Sequence, residues 1–138
     1  MKKKPTVILV ILAVLAVIWC AVPRPLLGES GKLDYMEYRG ETIDCHAPNG
    51  PVDREAVEDL LRTYRRSALP RPIPDIRDFS GTVHLTTAYN GSPWHILLAD
   101  GEGMRNGKPC YMAYTGNGWG YPIRDGDRLM AALLEKMP

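Results

Sequence analysis

The sequence predicts an α+β protein: an N-terminal transmembrane helix followed by a small domain with an antiparallel sheet and two amphipathic helices. Residues 7–22 form an unbroken apolar run behind Lys2, Lys3 and Lys4, with Pro5 and Pro23 outside its ends. Residues 82–89 and 94–99 alternate apolar and polar side chains on either side of Asn90-Gly91-Ser92-Pro93, a hairpin signature. Residues 53–66 and 127–137 repeat apolar side chains every three or four positions, the period of a helix with one buried face.

Counting Thr6, the apolar run spans roughly 25 Å as a helix, the short end of what crosses a bilayer. Signal peptidase cleavage fits poorly. A cut after Ala21 puts Trp19 at minus three and a cut after Gly28 puts Leu26 there, neither of them small. Trp19 also stands where a lipoprotein site at Cys20 wants a small residue. An uncleaved signal-anchor is therefore preferred, with Trp19 at headgroup level. The lysines keep residues 1–5 cytoplasmic, 6–22 cross the bilayer, 23–31 form a short stalk, and 32–138 form an extracytoplasmic domain at the cell surface. From residue 29 onward, 13 Lys and Arg face 16 acids, a poor balance for nucleic-acid binding, which needs a concentrated basic face.

Within the domain, residues 33–38 and 41–45 flank Arg39-Gly40 as a small hairpin, and 46–51 turn. Asp53 caps the first amphipathic helix, whose Ala56, Val57, Leu60, Leu61 and Tyr64 face inward. Acids Glu55, Glu58 and Asp59 precede Arg62, Arg65 and Arg66, the charge order a helix dipole favours. Pro70, Pro72 and Pro74 then impose an extended connection. In the central hairpin Val83, Leu85, Thr87, Tyr89, Trp94, Ile96 and Leu98 share the core face. Residues 100–108 form a glycine-rich excursion, 110–115 and 121–123 further strands, and Asp127 caps a last helix that turns Leu129, Met130, Leu133, Leu134 and Met137 inward.

Cys45 and Cys110 are the two cysteines of the exported domain, and an oxidising compartment invites a bridge between them. Catalytic candidates are sparse. Cys45-His46 pairs a thiol with an imidazole, but neighbours on a strand point apart and a bridge consumes the thiol. Pairing Tyr89 with Trp94 sets His84 and His95 about 13 Å apart on one face, too far to share a metal ion. Asp100-Gly101-Glu102-Gly103 lacks the ligands of a calcium loop, and residues 103–108 miss both the glycine spacing and the Ser or Thr of a phosphate loop.

No motif assigns a reaction, a metal or a cofactor. The leading expectation is a non-enzymatic binding or interaction module with a protein or glycan partner outside the membrane. Its contact surface is the aromatic loop that carries Tyr114, Asn117, Trp119 and Tyr121. The alternative is a small hydrolase with a His or Cys centre among His46, His84 and His95.

Overall fold

The computed structural model describes residues 3–38, 40–45, 50–76, 82–89 and 92–137. Helix α1 (Lys3–Ala21) leads to β1 (Arg24–Pro25), β2 (Lys32–Tyr38), β3 (Glu41–Asp44), α2 (Arg54–Thr63), β4 (Arg65–Arg66) and β5 (Arg71–Pro72). Then come β6 (Thr82–Tyr89), β7 (Ser92–Ala99), a 3-10 turn (Gly101–Gly103), β8 (Cys110–Tyr114), β9 (Trp119–Pro122) and α3 (Gly126–Lys136). Seven strands form one antiparallel sheet in the order β3-β2-β6-β7-β8-β9-β5, and β1 pairs with β4 in a second, two-stranded sheet. The fold is α+β, with three α-helices among the described residues.

Every described residue of α1 is exposed, and the Trp19 ring near its end meets the Arg24 guanidinium at 4.9 Å. Its length and composition are compatible with a membrane anchor or a signal sequence.

The central hairpin presents Val83, Leu85 and Thr87 of β6 and Ile96 and Leu98 of β7 to a buried core. Helices α2 and α3 close that core with Val57, Leu61, Leu129 and Leu133. Asp53 caps α2 as expected, its carboxylate accepting from the Ala56 N–H at 3.3 Å. Helix α3 starts earlier than Asp127 implied. Asp125 is its N-cap, in a left-handed conformation (φ 53°) and without a side-chain cap hydrogen bond, while Asp127 lies in the first turn. Gly126 sits there because a Cβ would come 2.3 Å from the Cβ of Tyr111.

The hairpin register differs from the sequence expectation by two residues. Tyr89 pairs with Ser92, so only residues 90 and 91 separate the strands, the spacing that an Asn-Gly pair favours. Residues 90 and 91 themselves lie outside the described residues. A slip of two keeps each side chain on its face and changes its cross-strand neighbours. Strand β2 carries a β-bulge between Leu33 and Tyr35, with Leu33 opposite Thr87 and Tyr35 opposite Thr86. Leu33 and Met36, three apart, would point to opposite faces of a regular strand; the bulge buries both. It also sets Tyr35 and Glu37 on the face away from the helices, beside Thr86 and His84.

Residues 23–31, expected as a stalk, are built into the domain. Leu26 and Leu27 are buried, the Leu26 N–H donates to the Tyr64 carbonyl at 3.2 Å, and Arg62 donates to the Gly28 and Gly31 carbonyls at 3.4 and 3.1 Å. Proline-rich residues 70–74 supply β5 at the sheet edge, where the missing N–H of Pro72 interrupts no inner ladder. Ile73 and Ile76 cover a second apolar cluster of Leu97, Ala99, Met104, Cys110 and Met112 on the face away from the helices.

The Cys45–Cys110 bridge is corrected by this topology. Both thiols are free and buried, Cys45 in the core under the helices and Cys110 in the cluster on the opposite face. Three strands separate β3 from β8, about 19 Å of sheet, whereas a disulfide needs Cα atoms within about 7 Å.

Candidate functional site

His84 on β6, His95 on β7 and Tyr114 on β8 stack on the sheet face away from the helices, beside the second apolar cluster. His95 lies directly opposite Thr86 and Tyr114, so His84, two residues before Thr86, is its diagonal neighbour. The two imidazoles are near-parallel at 6°, with centroids 5.3 Å apart, in place of the 13 Å implied by the longer loop. The Tyr114 ring lies 5.1 Å from that of His95 and 6.1 Å from that of His84. Thus a two-residue change of register turns a pair of unrelated histidines into one cluster.

Hydrogen bonding fixes the rings. His84 Nε2 lies 2.9 Å from the Tyr114 hydroxyl, and His95 Nδ1 lies 3.4 Å from Thr86 Oγ1. Glu37 Oε2 approaches His84 Nδ1 at 3.9 Å, beyond a hydrogen bond but close enough for electrostatic attraction. The tautomer that suits these partners keeps the proton on Nδ1, toward Glu37, and lets Nε2 accept from the phenol. Burial is the main cause that pushes the His84 pKa below its ordinary value; His95 adds to this and Glu37 opposes it. Burial, then the Glu37 charge, push the Tyr114 phenol up. Near neutral pH the cluster is a neutral imidazole hydrogen-bonded to a neutral phenol. Tyr35, 47% exposed, and the half-exposed Glu37 border it.

The expected contact residues divide between the two faces. Tyr114 belongs to the histidine stack. Asn117 holds the β8–β9 turn, its Oδ1 accepting from the Trp119 N–H at 3.0 Å, between Gly116 and Gly118 at φ 102° and 85°. Trp119 is 49% exposed at the sheet end, and Tyr121, paired with Ala113, points to the helix side. There Tyr121 and Trp94 touch each other, ring centroids 5.7 Å apart, and the Arg66 guanidinium lies over both, 4.5 and 4.7 Å from their centroids. That cation-π cluster joins Arg66 to residues 28 and 55 positions away, and local periodicity gives no sign of it.

Burial raises the pKa of both Cys45 and Cys110, so the thiols are poor nucleophiles. His46 lies outside the described residues. Asp100 spends its carboxylate on the Glu102 N–H at 3.1 Å, opening the 3-10 turn. No group of three or more His, Cys, Asp or Glu among the described residues is placed to hold a metal ion. Comparison with protein families, curated proteins and solved structures finds no match.

Proposed function

We propose that this chain is a membrane-tethered, extracytoplasmic binding module. The observation that carries the tether is α1, an apolar helix of 19 residues with no buried side chain, joined to a domain that closes its own core without it. Such an apolar surface is unfavourable in water and favourable in a bilayer. The face bearing His84, His95 and Tyr114, with Tyr35 and Glu37 at its border, is the contact surface. Flat rings with polar edges and one carboxylate suit a protein or glycan partner that offers hydroxyl or amide groups.

One observation favours a second reading, a hydrolase: Glu37, His84 and Tyr114 follow the acid, base, hydroxyl order of a nucleophilic triad. It ranks lower because the acid stands 3.9 Å from the imidazole and burial holds the phenol protonated. Photo-crosslinking in intact cells tests the contact surface. A benzophenone side chain at position 35 is expected to give a discrete adduct with a partner, and the same group at exposed Glu135 on α3 none. No adduct from position 35, or equal adducts from both positions, contradicts the assignment.

A further inference from the structure

The second constellation lies where α1 meets the domain. Arg24 follows the last residue of the helix by three positions, and its guanidinium lies 4.9 Å from the Trp19 ring centroid. Strand pairing sets Arg24 opposite Arg66, whose guanidinium is the one lying over the adjoining Trp94 and Tyr121 rings. Among the described residues, neither arginine has a carboxylate within salt-bridge distance. Arg66 donates to the neutral Ser67 carbonyl at 3.3 Å, and among the described residues no carboxylate balances its charge. Burial lowers the Arg66 pKa; the nearby Tyr121 opposes that and Arg24 adds to it. A bound anion would relieve this crowding of charge.

Between the two arginines lies a cleft of about 370 Å³ with Pro25, Leu26, Leu27 and Trp94 among its lining residues. Three further arginines, Arg65, Arg124 and Arg128, line a neighbouring cleft with Asp125 as the acid among them. The Arg124 N–H donates to the Arg65 carbonyl at 2.9 Å, which fixes that neighbour to the same end of the domain. The domain from residue 29 onward carries more acids than bases, so this local excess of arginine is a feature of one end.

We propose that the cleft between Arg24 and Arg66 seats the phosphate of an anionic phospholipid from the membrane that holds α1. The inference rests on the tethered reading, and it needs the anchor without depending on its orientation. With α1 in lipid, Arg24 is at headgroup depth by chain connectivity, and Arg66 is beside it by strand pairing. Planar guanidinium groups match phosphate oxygens, and the apolar wall suits the glycerol and upper acyl carbons that a free phosphate lacks. Trp19 and Trp94 are the residue type that prefers the membrane interface. Attraction between juxtamembrane arginine and anionic lipid amounts to about fivefold in affinity for each charge.

The full chain reconstituted in nanodiscs of phosphatidylcholine with a minority of phosphatidylglycerol tests this, with native mass spectrometry reading which lipids stay bound. Wild-type protein is expected to retain phosphatidylglycerol in preference, and Arg24→Gln to reduce that preference about fivefold. Arg66→Gln is expected to do the same, but its contacts with Trp94 and Tyr121 make misfolding a risk, so Arg24→Gln decides and circular dichroism checks both. Equal retention of the two lipids by wild type, or an unchanged preference in folded Arg24→Gln, overturns the lipid site and leaves the tether standing. Displacement of the lipid by millimolar inorganic phosphate overturns the choice of lipid as ligand. Failure of the chain to enter the discs overturns the tether and the lipid site together.

Discussion

The His84 imidazole sits between the Glu37 carboxylate and the Tyr114 phenol, with the His95 ring stacked on it. Its pKa is lowered by burial first and by His95 second, so the unfolded chain binds more protons than the folded one below the ordinary histidine pKa near 6.5. The stability that this group contributes is therefore complete above that value and declines as pH falls below it. NMR titration is expected to give His84 a midpoint below about 6.5. His95→Asn is expected to raise that midpoint, and Glu37→Gln to lower it further. Melting temperature should fall less on acidification in His84→Gln than in wild type; identical pH profiles would contradict this placement. Glu58 was legible only as a favourable charge near the start of α2. In the fold it is 8% exposed, accepts from the Leu33 N–H at 3.1 Å and pairs with Arg54 at 2.9 Å. Glu58→Ala is expected to cost about 2–3 kcal/mol in urea denaturation, since it strands a buried N–H and an arginine.

Among the elements, those with a strong local pattern were readable. Helix α2 with its Asp53 cap, the β2–β3 hairpin, the faces of β6 and β7 and the apolar stripe of α3 follow from periodicity and turn chemistry. Elements that depend on distant partners were not. Strands β1, β4 and β5 have two residues each, too few for any period, and exist through pairing across 40 to 49 positions. The histidine cluster was missed for a related reason: periodicity fixes a side chain's face, while its neighbours follow from register, which here turns on the length of one loop. Residues 23–31 give the most direct test at this scale. A chain beginning at residue 23 is expected to fold, whereas one beginning at residue 32 loses Leu26 and Leu27 and is expected to be about 3–6 kcal/mol less stable. Equal denaturation midpoints would show that this segment is a stalk after all.

For the whole molecule, the sheet order governs what the cysteines do. Cys45 and Cys110 lie on opposite faces and several strands apart, so melting curves with and without reductant should superimpose. A reductant-dependent shift would place the thiols closer than this topology allows. The apolar run was plain in the sequence because sixteen consecutive apolar residues need no partner to be recognised. The arginine-lined junction below it was not, since Arg24 and Arg66 meet only through the β1–β4 pair. In the proposed reading the tether gives both surfaces their roles: the arginine end would face the bilayer, and the histidine face would be left for a partner.

Protease treatment of intact cells that express the full chain, followed by alkaline extraction of their membranes, tests the tethered, outward-facing domain most directly. The account predicts that the domain is digested without lysis and that an N-terminal stub stays in the extracted membrane. A domain protected until the cells are lysed, or recovered free in the medium, would contradict it.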